Sequence, residues 1–469
     1  MSQFPNDPNK TVQGTFDPNK TVLASGATEN KTVMSGPPGL GSDPNRTTAW
    51  AQPSQELSVT LTPGRHVTLA NGPAREQFLV EVSAGGHSGL QGLADSGQRT
   101  ALNLCLVIDR SGSMEGPPLE YAKQACGFVV DLLGPNDVLS IVVFDETVEV
   151  LMPPQKVTNR QAVKDGIAQL SPGYTTNLYD GMQLAANQLA MHTESRRATR
   201  MVVLSDGEPT AGIKDFSSLV SHAGDIKSRG VTCTFLGFGP EYNEELLAAM
   251  AKRAGGNYYY IPQPQLIPEI FRTELNRLMS VQAMHLKLDL KLSRWVQLRG
   301  VTGQSVPPDS REFSLDLADI EQGEVLSLVF DFEFPNHPLG HYRVCGGSLS
   351  YADVGGVART TKLDFVMEFS ADASRYSVPV DPRVSGAAEI TAASRAVEKT
   401  IMGLKTQQLT TAGAIADLQK TQALLVAQGR TSEAQEVTMA MQAIQRGDKG
   451  GAEKTLMGTM VNLDQGKSR

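Results

Sequence analysis

The sequence predicts a multi-domain α/β protein: a doubly wound α/β domain inserted in a β-sandwich, with a C-terminal helical segment and a disordered N-terminal tail. Two observations lead to this prediction. Between residues 101 and 270, short continuous apolar runs alternate with amphipathic stretches, as in a parallel sheet covered by helices on both faces. On either side of that region, apolar and polar residues alternate with a period of two, which is typical of half-buried strands.

The tail, residues 1–52, contains a short repeat. Asp-Pro-Asn-Lys-Thr-Val occurs at 7–12 and again at 17–22, and weaker copies follow at 29–33 and 43–48. The segment is rich in Pro, Gly, Asn, Ser and Thr, so it cannot bury enough apolar surface to offset its ordering entropy. We therefore interpret the repeats as short linear motifs on a flexible tether.

Each repeat places a threonine directly after a basic residue, and these threonines are candidate phosphorylation or docking sites: Thr11, Thr21, Thr32 and Thr47. Phosphorylation would create ligands for an arginine-lined pocket, and several copies would add avidity. The motifs resemble threonine peptides read by forkhead-associated (FHA) domains or targeted by bacterial Ser/Thr kinases. The alternative is a spacer that multiplied by repeat slippage.

Residues 53–100 and 271–372 show the alternation of half-buried strands. In 284–292, for example, the apolar positions are Met284, Leu286, Leu288, Leu290 and Leu292. The strands of 53–100 are too few to be stable alone, so we expect them to complete a sandwich with those of 271–372. The α/β domain, 101–270, is then an insertion in that sandwich.

Within 101–270, apolar runs at 102–108, 138–144, 201–204 and 231–238 predict buried strands. The stretches between and after them, at 117–133, 160–170, 179–191, 213–228 and 243–254, predict helices. The densest basic cluster, Arg196, Arg197 and Arg200, is interpreted as an ordinary solvated edge. Residues 373–469 have helical spacing broken by glycines and predict three or four short helices.

Composition excludes several classes of protein. With 42 Lys and Arg against 50 Asp and Glu, the net charge of −8 argues against a nucleic-acid or anionic-membrane binder. Apolar runs are far shorter than the roughly 20 residues of a membrane span, and residues 1–10 do not resemble a secretory signal. Cys105, Cys126, Cys233 and Cys345 form no CxxC pair, so buried reduced thiols are expected rather than zinc ligands. We expect a cytoplasmic protein.

The clearest chemical signal follows the first strand of the α/β domain. Asp109, Ser111 and Ser113 form an Asp-x-Ser-x-Ser motif at the carboxyl end of that strand, where ligands of open α/β sheets bind. Thr176 and Asp206 lie in two further loops at the same expected edge. Carboxylate and hydroxyl oxygens suit a hard cation, so the pattern predicts a site for Mg²⁺, or for Ca²⁺ or Mn²⁺.

These motifs, in this order, resemble those of von Willebrand factor type A (VWA) domains of the bacterial intracellular type. The match includes the family's metal-ion-dependent adhesion site (MIDAS). The resemblance implies a doubly wound, Rossmann-like fold and a divalent cation held by Asp109, Ser111, Ser113, Thr176 and Asp206. It also implies that a protein partner's Asp or Glu completes the coordination. Thr175 is the alternative to Thr176 as a ligand.

Searches for catalytic motifs find no GxSxG elbow, no P-loop and no HExxH. We therefore expect a non-enzymatic protein-binding scaffold that uses Mg²⁺ to engage an acidic residue of its partner. The alternatives are a metal that serves stability alone, a self-assembling structural protein, and a regulatory subunit of an AAA-type ATPase. No nucleic-acid partner and no membrane span are expected.

Overall fold

The computed structural model describes residues 57–84, 100–194, 196–206, 208–239, 242–303, 306 and 310–468. The predicted tail and its four threonines lie outside the described residues. The first strands are β1 (Leu57–Pro63), β2 (Val67–Leu69) and β3 (Ala74–Ala84). They precede the α/β region but belong to sheets built mostly from strands that follow it.

The α/β domain contains a six-stranded sheet in the order β6-β5-β4-β7-β8-β9. Its strands are β4 (Ala101–Asp109), β5 (Val138–Phe144), β6 (Val148–Lys156), β7 (Arg197–Ser205), β8 (Thr232–Phe238) and β9 (Gly255–Ile261). All neighbours are parallel except β5 and β6. The expectation of a parallel sheet is therefore wrong at this edge, because a turn of three residues joins β5 to β6 and so short a connection can only produce an antiparallel pair.

Helices cover both faces of this sheet. They are α1 (Pro117–Leu132), α2 (Arg160–Ala168), α3 (Leu178–Ala190), α4 (Phe216–Ser228), α5 (Glu244–Ala254) and α6 (Ile267–Met279). Buried side chains of α1, α2 and α6 pack on one face, and those of α3, α4 and α5 pack on the other. Alternate side chains of β4 pack into the cores on the two faces of the sheet, with Cys105 in one core and Leu106 in the other.

The boundary expected at residue 270 falls inside α6. Ile267, Phe271 and Leu275 of this helix are buried in the core formed with α1 and β4. The whole helix therefore belongs to the α/β domain, and the sandwich resumes only at Val281.

Two sheets form the sandwich. The remaining strands are β10 (Val281–Leu292), β11 (Gln297–Val301), β12 (Glu312–Asp316), β13 (Ile320–Glu321), β14 (Val325–Phe334), β15 (Gly340–Asp353) and β16 (Ala358–Ser370). The orders are β1-β3-β14-β11 and β12-β10-β15-β16-β2, with β13 beside β10. β3 pairs antiparallel with β14, with Val80 opposite Leu328. The chain thus leaves the sandwich after β3 and returns to it at β10.

The C-terminal part is mainly helical. Its elements are α7 (Ala373–Tyr376), α8 (Pro382–Lys405), α9 (Thr411–Ala427), α10 (Thr431–Gln445), α11 (Lys449–Asp464) and β17 (Lys467–Ser468). Val397, Leu418 and Val437 share a core with α3, α4 and α5, so these helices cover the outer side of the α/β domain. The last described residues depart from the helical expectation, because β17 pairs with β14 of the sandwich.

Arg200 was wrongly placed on a solvated edge. Its side chain is 2% exposed and forms an ion pair with Asp319 of the sandwich, while Arg197 remains partly exposed beside Glu194. The four cysteines are buried and free, as expected. Among the described residues, no helix combines the length and apolar character that crossing a membrane requires.

Candidate metal centre

The carboxyl ends of β4 and β7 are neighbours, because these strands pair in parallel with Ile108 opposite Leu204. Asp109 ends β4, and Ser205 and Asp206 end β7 and begin the next loop. On the far side of β4, the chain continues from β5 through β6 and α2 to the loop before α3, whose N-cap is Asn177. Three loops therefore meet at this edge of the sheet and carry the five residues singled out in the sequence.

Four of these five residues form one hydrogen-bonded path. Ser111 Oγ and Ser113 Oγ are 3.2 Å apart, and Ser113 Oγ donates to Asp206 Oδ1 at 2.8 Å. Asp109 accepts from the Ser111 amide at 2.8 Å and from Ser205 Oγ at 2.6 Å. The side chains of two carboxylates and two serines are thus brought together without any basic residue in the path.

Thr176 lies in the adjoining loop. It is buried, its amide donates to Thr210 Oγ1 at 2.9 Å, and its carbonyl accepts from the Thr210 amide at 3.0 Å. The neighbouring Thr175 has a buried hydroxyl that finds no hydrogen-bond partner among the described residues. The threonine loop is joined to the serine loop through the Gly112 amide, which donates to the Tyr174 carbonyl at 3.4 Å.

Two positioning residues in this region were missed in the sequence. Asp145, directly after β5, pairs with Arg110 Nε at 2.7 Å, and its carbonyl accepts from the Asn177 amide at 3.2 Å. A Cβ at Gly173 would lie 2.1 Å from Asp145 Oδ2, so only glycine allows this approach. The second missed positioning residue is Ser205, which holds Asp109. The signal for both was a polar residue at the end of a buried strand.

Electrostatics favour a cation here. Burial raises the pKa of Asp109 to about 7, and the negative charge of Asp206 adds to this, although hydrogen bonds from Ser205 and Ser111 oppose the shift. A divalent cation would stabilise both carboxylates in their charged form. No group of three or more His, Cys, Asp and Glu side chains that could hold a metal occurs among the described residues. The candidate site therefore depends on its hydroxyl oxygens, a donor set that fits Mg²⁺ better than zinc.

The loops around these oxygens expose both apolar and acidic side chains. Tyr174 is 85% exposed, and Ile213 and Phe216, just beyond Thr210, are also exposed. The exposed acids are Glu115, Glu146, Glu208 and Asp215, and Lys214 is an exposed base in the same loops. Glu146 is attached to the site, because its Oε2 accepts from the Tyr174 amide at 2.9 Å.

Comparison with known proteins identifies the α/β region. The family model of the von Willebrand factor type A domain matches residues 103–273. An uncharacterized Synechocystis protein, sll0103, is 30% identical over 266 residues, which cover 53% of this chain and 62% of that protein. Inter-alpha-trypsin inhibitor heavy chain H1 of Mesocricetus auratus is 30% identical over 162 residues, 33% of this chain and 18% of the relative. The matches thus span less than two thirds of these relatives.

Solved structures share the fold over more of the chain. A von Willebrand factor type A protein from Catenulispora acidiphila superposes with a TM-score of 0.64 at 17% identity, covering 82% of this chain and 90% of that one. The ArnB paralog VWA2 from Sulfolobus acidocaldarius superposes with a TM-score of 0.60, also at 17% identity, covering 86% of this chain and 98% of that one. The family match runs from within β4 to within α6 and includes all five candidate residues. Residues 103–273 of this chain are therefore a von Willebrand factor type A domain.

Proposed function

We propose that this protein is a non-enzymatic scaffold whose VWA domain holds a divalent cation and uses it to engage an acidic residue of a protein partner. A VWA domain suggests a role in protein–protein interaction. One observation supports an interaction that depends on a metal. The side-chain oxygens of Ser111, Ser113 and Asp206 are joined by hydrogen bonds, and they lie beside Asp109. Thr176 completes the proposed set from the adjoining loop.

The residues of the proposed metal site have different roles. Asp109 and Asp206 supply the negative charge that attracts the cation, and the neutral serine hydroxyls add oxygen ligands without cancelling more of its charge. Bound Mg²⁺ would supply a positive centre for a carboxylate from the partner. Ser205 and the Arg110–Asp145 pair hold the loops in place.

The test is a pull-down from native lysate in Mg²⁺ and in EDTA. We expect partners to be retained by the wild-type protein in Mg²⁺ and lost in EDTA. Ser113→Ala should lose the same partners in Mg²⁺, because it removes one proposed ligand. Ser228→Ala is the matched control: Ser228 is exposed at the end of α4 and donates only to the Asp225 carbonyl. If the same partners bind with and without Mg²⁺, the proposal is wrong.

The tail is proposed as a second attachment point. Phosphorylation of Thr11, Thr21, Thr32 or Thr47 would make each repeat a ligand for an FHA-domain protein, and the basic residue before each threonine suits recognition by a Ser/Thr kinase. Incubation with such a kinase followed by mass spectrometry tests the proposal. Phosphate on these four positions would support it, and its absence there would contradict it.

A further inference from the structure

A cavity separate from the metal site lies where α8 crosses the outer face of the β1-β3-β14-β11 sheet. The helix touches this sheet through Val384, which packs on Leu79 and Val329. To one side of that contact, α8 and the sheet enclose an open cavity of about 550 Å³. The space exists because α8 presents the small side chains of Ala388 and Ala392 to it. A cavity of this volume is large enough for a small-molecule ligand.

The lining of this cavity is rich in arginine. Four arginines from four segments contribute to it: Arg65 before β2, Arg75 in β3, Arg299 in β11 and Arg395 in α8. Only two carboxylates, those of Glu76 and Asp331, occur among the described residues that line it. The cavity therefore carries an excess of positive charge, although the whole chain has a net charge of −8.

Two of the four arginines are held by acidic residues of β14. Arg75 Nε donates to Asp331 Oδ1 at 2.8 Å, and Arg299 Nε donates to Glu333 Oε2 at 2.7 Å. Asp331 and Glu333 are two positions apart on β14, which lies between β3 and β11, so both carboxylates are on the same face of the sheet. The two acids balance the charges of these two arginines and hold their guanidinium groups at the cavity.

Arg395 supplies the charge that no carboxylate balances. Arg65 is held by the Val378 carbonyl, to which its Nε donates at 2.7 Å, and by Glu76 Oε2, which lies 3.2 Å from its Nη1. Arg395, in contrast, is exposed and makes no hydrogen bond or ion pair with the described residues. Guanidinium groups that share one cavity repel each other, and an anion bound among them removes that repulsion. The cavity therefore favours an anionic ligand.

The use of arginine indicates which anion fits. Guanidinium is planar and always charged, and its parallel N–H groups match the oxygens of a phosphate or a carboxylate. A phosphate monoester carries roughly −1.5 to −2 charges at pH 7 and three strong acceptor oxygens, whereas a carboxylate carries one charge and two oxygens. A phosphate group can therefore accept hydrogen bonds from arginines of several segments at once, which suits a cavity lined by four of them.

We propose that this cavity binds a small ligand that carries a phosphate group, with Arg395 as the main contact and Arg65 as a second donor. The inference is independent of the proposed function, because none of the five candidate metal ligands lines the cavity. The bound phosphate links α8 to the sandwich, beside the 3.1 Å contact between Thr391 Oγ1 and Thr302 Oγ1. The ligand thus strengthens the attachment of the C-terminal helices to the sandwich.

The test is a calorimetric titration of the full-length protein with phenyl phosphate, in a buffer free of other multivalent anions. We expect saturable binding. Arg395→Gln should weaken it at least about tenfold, because the variant lacks the charge that no carboxylate balances. Arg446→Gln is the matched control: it removes the same charge from an exposed position at the end of α10 and should bind like the wild type. Ala392→Leu keeps every charge but fills part of the cavity, so it should weaken binding as well.

Two further probes define the chemistry of the ligand. Benzoate carries a carboxylate on the same ring and should bind at least about tenfold more weakly than phenyl phosphate. Inorganic phosphate separates the two sources of a phosphate group: affinity equal to that of phenyl phosphate would identify the free ion as the ligand, and lower affinity would identify an ester. The proposal is wrong if neither phosphate compound binds at millimolar concentration, if benzoate binds equally well, or if Arg395→Gln and Arg446→Gln lose binding to the same extent.

Discussion

The hydroxyl of Ser113 donates a 2.8 Å hydrogen bond to Oδ1 of Asp206, a residue 93 positions later in the chain. The contact exists because β4 and β7 are neighbours and parallel, so the loops after them begin side by side. Ser113 is held by a short turn, Gly112–Met114, and Asp206 by the end of a buried strand. Two rigid elements thus set the separation of two proposed ligands.

Replacement of Ser113 tests the contribution of a single hydroxyl. Ser113→Ala should weaken Mg²⁺ binding about tenfold or more, because the proposed set loses one oxygen while both carboxylates remain. The free energy of unfolding without metal should change by less than about 1 kcal/mol, since Ser113 is exposed. Calorimetry and urea denaturation measure the two quantities. Unchanged Mg²⁺ affinity would remove Ser113 from the site.

The adjacent threonines give a second test. Thr176→Val should weaken Mg²⁺ binding, whereas Thr175→Val should leave it unchanged. The Thr175 hydroxyl is buried without a partner among the described residues, so its replacement by a methyl group should maintain or raise stability, by up to about 1 kcal/mol. Each variant is the other's control, because both exchanges are isosteric. The opposite result, with metal binding lost only in Thr175→Val, would assign the ligand to Thr175.

Much of the α/β domain followed from the sequence because its strands are buried on both faces and appear as unbroken apolar runs. The run at 138–144 coincides with β5 for this reason. The edge strand β6 was missed, since the half-exposed segment Val148–Lys156 mixes polar residues with apolar ones. Arg200 was misplaced because only the fold brings Asp319 to it, and no local pattern reports a partner 119 residues away.

In the candidate site, too, some residues could be found from local sequence pattern and others only from the fold. The motif residues Asp109, Ser111 and Ser113 are close in the sequence and could be found by spacing alone. Asp145 and Ser205 could not be assigned a role in advance, because what they do depends on which loops the sheet brings together. Sequence spacing therefore predicts the proposed ligands, whereas the supporting contacts require the structure.

The buried pair of Arg200 and Asp319 joins the α/β domain to the sandwich. The Asp319 carboxylate also accepts from the His285 amide at 2.9 Å, and the pKa of Asp319 lies well below its usual range: burial opposes its charge, but the Arg200 guanidinium outweighs burial. Asp319→Asn should lower the free energy of unfolding by about 3 kcal/mol, because it leaves a buried guanidinium without its counter-ion. Urea denaturation measures this. The double variant with Arg200→Met should recover part of the loss, and no recovery would contradict the ion-pair explanation.

A second ionic contact joins the α/β domain to the C-terminal helices. Glu244, at the start of α5, accepts from Lys405 and Lys454, each at 2.8 Å. Burial opposes the charge of Glu244, but the hydrogen bonds from the two lysines outweigh it and lower its pKa to about 2. Since the unfolded state binds this proton near pH 4.5, the stabilisation is complete above that pH and is lost as pH falls towards 2.

Glu244→Gln should therefore lower the free energy of unfolding by about 2–3 kcal/mol at pH 7 and by much less near pH 3. The matched control is Glu245→Gln, whose side chain also contacts Lys405 but is half exposed. Its cost should stay below about 1 kcal/mol. Urea denaturation at the two pH values distinguishes these outcomes. Equal costs for the two variants at pH 7 would contradict a special role for Glu244.

Glu436 in α10 should have the opposite effect to Glu244 on how stability depends on pH. Its Oε2 accepts from Thr459 at 2.8 Å, but burial raises its pKa to about 7, and the charge of Glu433 adds to that shift. Between about pH 4.5 and 7 the folded state holds a proton that the unfolded state releases, so this group's contribution to stability falls as pH rises through that window. Glu436→Gln keeps an acceptor for Thr459 without the charge, and should raise the free energy of unfolding by about 1–3 kcal/mol at pH 8 while changing little at pH 4. Glu398→Gln, at an exposed position of α8, should stay within about 0.5 kcal/mol of the wild type at both values. A gain at pH 8 confined to Glu436→Gln would show that the carboxylate between α10 and α11 is held there against its own charge.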